Sequence, residues 1–363
     1  MKKVLLGDII ELAYGKSLPQ RSRIPGRFPV FGSNGQVDTH NKSLVGGPGI
    51  IIGRKGSVGE VIWSKQNFWP IDTTYYVKLK NPDNDLRYWY YVLKTLGLNK
   101  LNSHSAIPGL NRDIAYIKLV PLRSMLEQKK IADILGSLDE KIELNRRMNE
   151  TFEQLGQALF RHYFVDNSEV DSWESGEVSD VVRIYSGFAF KSKDFDIGGR
   201  YGLVTIKNVQ DGSFIKDCAD HLSEPLPDKT PEHVHLKSGD IILSLTGNVG
   251  RVCAVVGHDY LLNQRVAKLV SDESQAYVYF LFRSKTMKDR MVGISKGTAQ
   301  KNLSPIETGK LKIKIPPTNI MSQFEESAMD LLNMIVSNNE QTQDLTSLRD
   351  SLLPKLISGK IEI

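Results

Sequence analysis

At 363 residues, with 40% hydrophobic and 25% charged side chains, the chain is long enough for two or three domains, each with its own core. A formal charge of +5 and a pI near 8.9 permit an anionic partner such as nucleic acid without demanding one. Cys218 and Cys253 form neither a CxxC pair nor a disulfide framework, and no stretch approaches the ~20 apolar residues of a membrane span.

The N-terminus, Met1-Lys2-Lys3-Val4-Leu5-Leu6, starts like a signal peptide, but Asp8 and Glu11 break the apolar run too early. A cytoplasmic protein with no membrane partner is expected, its two cysteines buried and reduced. The segment Gly7-Asp8-Ile9-Ile10-Glu11-Leu12 returns as Ser179-Asp180-Val181-Val182-Arg183-Ile184, and each is followed by a glycine, Gly15 or Gly187. The chain is written twice. Ile50-Ile51-Ile52 and Gly56-Ser57-Val58-Gly59 return as Ile241-Ile242-Leu243 and Gly247-Asn248-Val249-Gly250, at an offset that has grown from 172 to 191. The second copy therefore carries a longer insertion.

These β-branched runs, with Val61-Ile62-Trp63 and the run from Arg251 to Val256, are bounded by Gly and Asn, which is strand-and-turn chemistry. The aromatic segments from Tyr88 to Leu96 and from Tyr277 to Phe282 predict one amphipathic helix per half. Ala106 and Leu110 then match Ala299 and Leu303. Each half is expected to be mixed, a curved and mainly antiparallel sheet with a few helices packed on it, giving an α+β chain.

Pro121 closes the first half and Pro316-Pro317 the second, and each marks the entry to a long helix. The first helix is predicted from about Leu126 to Phe164 and the second from about Ser322 to Leu353, where Pro354 stops it. Each is roughly 50 Å long at ~1.5 Å per residue. One heptad seam of the first helix runs Ile131, Leu138, Asn145, Phe152, Leu159, and the other Ile134, Lys141, Met148, Leu155. Shifting the first seam by 193 gives Phe324, Leu331, Asn338, Leu345, Leu352. Asn145 and Asn338 therefore interrupt matched seams at the same step, a device that fixes register at some cost in stability. Lys141 interrupts the first helix, and Ser327 and Gln341 weaken the second.

The simplest partner of each helix is the other. An antiparallel coiled-coil spacer between two repeated domains, pseudo-two-fold symmetric, is the expected architecture. The boundaries are 1–123 and 165–317 for the domains, 124–164 and 318–363 for the helices.

No residue set builds a catalytic centre. The Gly-rich cofactor loop and Asn-Pro-Pro-Tyr-like tetrapeptide of a DNA amino-methyltransferase are absent, since Ile315-Pro316-Pro317-Thr318 has neither the polar first residue nor the aromatic last one. Gly15-Lys16-Ser17 resembles the end of a phosphate loop, but Ile10 stands where its first glycine is needed. The seven His show no HExxH or HxH spacing, so no metal site is expected.

Polar and basic residues on glycine-rich loops do recur at equivalent places. Arg54, Lys55 and Ser57 occupy the first loop, and Thr246, Asn248 and Arg251 its counterpart. Glycine lets backbone approach a surface, while Arg, Lys, Asn and Thr reach phosphates or base edges. His104, Asn111 and Arg112 lie on a second loop, matched by Lys296, Gln300, Lys301 and Asn302. Ser33-Asn34 and Lys207-Asn208 form a third pair after equivalent strands. These are the candidate DNA contacts, against the plain alternative of tight turns with solvated charges.

The layout resembles the specificity subunit of type I restriction-modification systems. The resemblance rests on the Gly-x-Val-Gly loop of each half, Glu127-Gln128-Lys129-Lys130-Ile131-Ala132 at the first helix entry, and Trp173 with Gly187 opening the second half. Most specific is the C-terminal Leu352-Leu353-Pro354-Lys355-Leu356-Ile357-Ser358-Gly359-Lys360-Ile361. It implies two target recognition domains, each reading half of a split asymmetric site in double-stranded DNA, with the helices setting the gap. It also implies two methyltransferase partner subunits that carry S-adenosylmethionine and methylate adenine N6, motor and nuclease subunits for cleavage, and no cofactor or catalysis in this chain. A coiled-coil scaffold bridging two proteins and a single-chain DNA-modifying enzyme are the competing readings.

Overall fold

The structure, a computed structural model, describes residues 2–101, 109–297 and 301–363. It divides into two compact units, Met1–Glu140 with Thr346–Ile363, and Lys141–Leu345. Each long helix is shared between them.

In chain order the first unit contains β1 (Lys2–Leu5), the single turn α1 (Leu6–Ile9), β2 (Ile10–Tyr14), β3 (Phe28–Gly32), β4 (Gly35–His40), β5 (Gly49–Gly53), β6 (Val61–Ser64), β7 (Trp69–Pro70), β8 (Thr74–Leu79), α2 (Leu86–Thr95), α3 (Arg112–Tyr116) and β9 (Leu119–Leu122). Among its described residues it holds two main sheets, besides a two-stranded ribbon, where one sheet was expected. The larger, in order β2-β8-β5-β6, is antiparallel throughout; in the smaller, β3 pairs antiparallel with β4 but parallel with β7. β1 pairs with β9 and closes the unit's ends.

The run Ile50-Ile51-Ile52 is apolar without alternation because β5 is covered on both faces. Ile50 and Ile52 join the core with Tyr88, Trp89 and Val92 of α2, while Ile51 packs with Phe31 and Phe68. Asp85 caps α2 by accepting from the Tyr88 backbone N–H (2.8 Å).

The second unit repeats this plan. Its strands are β10 (Ser175–Glu177), β11 (Arg183–Ser186), β12 (Tyr201–Val204), β13 (His221–Leu222), β14 (His235–Leu236), β15 (Ile241–Ser244), β16 (Val252–Ala254), β17 (Tyr260–Leu262), β18 (Val266–Val270) and β19 (Lys312–Lys314). The antiparallel order β11-β18-β15-β16 reproduces the larger sheet, and β12 again has a parallel neighbour, β17. Ile241 and Leu243 face one core and Ile242 another. Gly15 and Gly187 close equivalent corners, where a Cβ would lie 2.1 Å from the Ile71 carbonyl oxygen and 2.3 Å from that of Asn263. Only glycine allows that approach.

The first long helix, α4, spans Met125–Phe164. After α5 (Gln275–Arg283), α6 (Lys285–Ile294) and α7 (Pro305–Gly309), the second, α8, spans Thr318–Ser358. At 40 and 41 residues each is about 60 Å long at ~1.5 Å per residue. Within the first unit, Arg123 donates to the Leu356 carbonyl (3.3 Å) and Arg349 pairs with Asp139 (2.8 Å). Within the second, Asn145 meets Gln341 while the Phe164 and Phe324 rings lie 4.9 Å apart. Later residues of α4 meet earlier residues of α8 in both stretches, so the helices run antiparallel.

Two expectations about the helices change. The helix does not stop at Pro354 but runs to Ser358. Leu356 and Ile357 are buried in the first unit's core, and that burial outweighs the missing proline N–H. The second heptad seam is also not a seam: Ile134, Leu155, Met334 and Leu348 are exposed, while Ala132, Leu135, Leu332 and Ile335 are buried. The helices pack on the α2 and α5 layers as well as on each other, which turns the buried stripe away from a two-helix seam.

Asn145 is fully buried and donates to Gln341 Oε1 (2.8 Å) and the Asn338 carbonyl (3.5 Å), while its own Oδ1 has no partner among the described residues. Asn338 donates to Asn149 Oδ1 (2.9 Å). Because this polar layer includes an unpaired buried oxygen, Asn145→Leu should stabilise the helix pair by ~1 kcal/mol and raise Tm by about 2 to 4 °C while loosening register. A lower Tm in a calorimetric melt would contradict this.

Candidate nucleic-acid interface

Three loops of each unit converge: backbone hydrogen bonds tie two of them together and the third lies alongside. In the first unit the β5-β6 loop turns at Gly56 (φ 80°) and Gly59 (φ 76°), conformations that favour glycine. The Arg54 and Lys55 N–H groups both donate to the Thr73 carbonyl (2.9 and 3.1 Å), and the Arg54 carbonyl accepts from the Leu110 N–H (2.9 Å). That last bond draws in the segment carrying Asn111 and Arg112. A Cβ on Gly56 would come within 3.1 Å of Ser33 Oγ, so the turn with Ser33 and Asn34 adjoins the same loop.

The second unit is built on the same bonds. The β15-β16 loop turns at Gly247 (φ 72°) and Gly250 (φ 79°). The Leu245 N–H donates to the Arg265 carbonyl (3.0 Å), and the Leu245 carbonyl accepts from Leu303 (2.7 Å). Gly247 donates to the Lys301 carbonyl (2.9 Å), and Lys296 and Asn302 exchange two backbone bonds (2.9 and 2.8 Å). A Cβ on Gly247 would lie 3.5 Å from Ile206, so the turn preceding Lys207 joins the cluster.

Within these clusters the side chains differ in availability. Lys55, Asn34, Lys207, Asn248, Lys296 and Lys301 are exposed; Ser33, Arg54, Ser57, Arg112 and Arg251 are half-buried. Asn208 is not available to DNA as the sequence suggests: it is buried, its Oδ1 accepts from the Thr205 N–H (2.9 Å), and its Nδ2 donates to the Ile215 and Asp217 carbonyls (2.9 and 3.1 Å). Thr246 is likewise buried and donates its hydroxyl to Asn302 Oδ1 (3.0 Å), which engages both side chains in holding loop to loop. The Asn111 carboxamide oxygen caps α3 by accepting from the Asp113 and Ile114 N–H groups (2.8 and 3.4 Å). His104 and Gln300 lie outside the described residues.

A polar chain behind Arg251 and two tyrosines beside Arg54 escaped sequence reasoning. Arg251 Nη1 donates to Gln210 Oε1 (2.7 Å), and the neighbouring Asp211 pairs with Arg283, whose Nε donates to Glu153 of α4 (3.0 Å). A chain of polar contacts thus links the long helix to Arg251. Tyr14 and Tyr75 flank Arg54 in the first unit, with Arg54 Cζ 5.1 and 5.9 Å from their ring centroids. Burial, reinforced by the neighbouring Tyr14 hydroxyl, pushes the Tyr75 hydroxyl up to about 12. Burial also raises Cys218 to about 11 and Cys253 to about 12, so neither supplies a thiolate nucleophile near neutral pH. Among the described residues no group of three His, Cys, Asp or Glu could hold a metal, and no helix is long and apolar enough to cross a membrane.

The model of the type I restriction modification DNA specificity domain matches residues 1–154 and again 170–341. The chain belongs to this family. As a member, it is a specificity subunit that recognises DNA sequence, and the two matched segments correspond to its two copies of the fold. It is 25% identical to the type I restriction enzyme MjaVIII specificity subunit of Methanocaldococcus jannaschii, over 99% of this chain and 92% of that one. The MjaIX specificity subunit of the same organism is 26% identical, over 76% of this chain and 69% of its own length. The fold is similar to the crystal structure of the type I restriction-modification system S subunit from M. genitalium, with TM-score 0.68, 18% identity, and coverage of 98% and 96% of the two chains.

The roles of the adjacent Lys207 and Asn208 separate in a melt. Asn208→Ala leaves two carbonyls and the Thr205 N–H without their partner and should cost about 2 kcal/mol of stability, whereas Lys207→Ala should stay within about 0.5 kcal/mol of wild type. Equal stability of the two variants would refute the buried role of Asn208.

Proposed function

We propose that the loop cluster of each unit reads one half of a bipartite, asymmetric sequence in double-stranded DNA. The supporting observation is that equivalent backbone bonds tie the glycine-rich loop to the segment before the short helix in both units, with a third turn alongside, while the side chains differ. A shared frame with unlike side chains is what two different half-sites require. Lys55, Lys296 and Lys301 suit phosphate oxygens, which set affinity and register; Ser57, Asn34 and Asn248 suit base edges. Each long helix continues from one unit into the other, so helix length sets the unread gap.

In this proposal the chain is cytoplasmic, catalyses nothing and holds no cofactor. Two methyltransferase subunits dock on it, bring S-adenosylmethionine and methylate adenine at N6, and motor and nuclease subunits join for cleavage. With labelled S-adenosylmethionine, the purified chain alone should transfer no methyl group to DNA; transfer without a partner would sink the non-catalytic reading.

Replacing Arg54, Lys55, Lys296 and Lys301 with Ala in the assembled complex should weaken DNA binding and lower the salt slope by ~1 for each phosphate left without its cation. Unchanged affinity and slope would show that these loops are not the interface. Adding matched helical residues to α4 and α8 should change the methylated spacing while both half-sites stay readable, and an unchanged spacing would remove the helices as the spacer.

A further inference from the structure

The two loop clusters differ at one place in a way their common fold does not require. In the first unit Tyr14, Arg54, Lys55, Tyr75 and Arg112 line a cleft of about 350 Å³. The guanidinium carbons of Arg54 and Arg112 each lie 5.1 Å from the Tyr14 ring centroid, so one ring holds two cations in the same cleft. Among the described residues neither arginine nor Lys55 is in an ion pair, and Asp113 is the only carboxylate on the lining. Arg54 Nε is buried and has no hydrogen-bond partner among the described residues. Gathered like charges repel, and a buried donor without an acceptor lowers stability; an anion in the cleft relieves both.

The second unit shows that the frame does not demand these residues. The cross-strand pair Tyr14-Tyr75 corresponds to Ser186-Ala267. By the backbone bonds that tie the loops, Arg54 corresponds to Leu245, Lys55 to Thr246 and Arg112 to Pro305. Every cation and both rings of the cleft are replaced by neutral, non-aromatic side chains.

We infer that the cleft of the first unit binds one backbone phosphate of the bound DNA; this rests on the DNA-recognition reading above. A phosphate fits better than a base edge. Both guanidinium groups lie against a ring and Arg54 is recessed, so neither projects as a groove-reading side chain does. Stacked guanidinium groups still offer N–H donors along their edges, and three positive groups around one cleft suit the charged oxygens of a phosphodiester. The second unit instead presents cations such as Lys207, Lys296 and Lys301 on exposed loops.

The test uses the full chain with two probes. In a melt at constant ionic strength, inorganic phosphate should raise the Tm of wild type and of Lys65→Met beyond any rise in Arg54→Met/Arg112→Met; only that difference counts, because phosphate stabilises folded proteins generally by exclusion. With mixed-sequence duplex DNA, the double variant should lose ~1 from the salt slope. If the double variant does not fold, Arg112→Met alone should bind phosphate about tenfold more weakly.

A variant that keeps wild-type phosphate affinity and salt slope, in a protein that binds DNA, overturns the cleft and leaves DNA recognition standing. Failure of the wild-type chain to bind DNA, alone and in its complex, overturns DNA recognition and the phosphodiester assignment with it, whatever phosphate does to Tm.

Discussion

One backbone hydrogen bond, made twice, organises each candidate interface. Leu110 donates to the Arg54 carbonyl, and Leu303 to the Leu245 carbonyl. Each bond ties the glycine-rich turn between two strands to the segment that leads, through a short helix and an edge strand, into a long helix or its entry. Because both partners are main-chain groups, the tie is indifferent to the side chains on either strand. That indifference lets one fold carry Arg-Lys on one loop and Leu-Thr on the other.

The repeat was legible in the sequence because its causes are local. Glycines at positive φ, β-branched runs covered on both faces and aromatic helices leave patterns that survive wide divergence. The convergence of three loops could be suspected from matched chain order, but the use of each polar side chain could not. Asn208 is consumed by carbonyls on the insertion that only the second copy has, Thr246 by a residue on another loop, and Asn111 by its own helix start. Tyr14 and Tyr75 were invisible because aromatic residues on strands ordinarily mean core, and Tyr14 is half exposed beside two arginines.

The heptad period of about 3.5 holds along both helices, but it makes a two-helix seam only where each helix faces the other alone. The stretches also lie on the α2 and α5 layers, so the buried stripe widens toward those layers and the second seam faces out. Asn145 and Asn338 keep their significance since they lie on the seam that is shared. In an antiparallel pair of like helices, equivalent residues meet only near one point, and the Asn145 amide reaches the Asn338 carbonyl across a separation of 193 in sequence, the offset of the helix repeat itself. The polar layer therefore marks the one level where a slip would pair unlike residues in both directions.

Charge is where the copies part most sharply. A stability-driven repeat would drift toward neutral side chains at Arg54, Lys55 and Arg112, as the second copy demonstrates can be done on the same frame with Leu245, Thr246 and Pro305. Leu245 joins the core there, gaining burial that Arg54 forgoes. Retaining two guanidinium groups on one ring, with a buried nitrogen unpartnered among the described residues, gives up stability at a place where the fold has a cheaper solution. Interactions that cost the free protein and are relieved by an anion belong to binding, so this cleft separates what the frame needs from what the ligand needs.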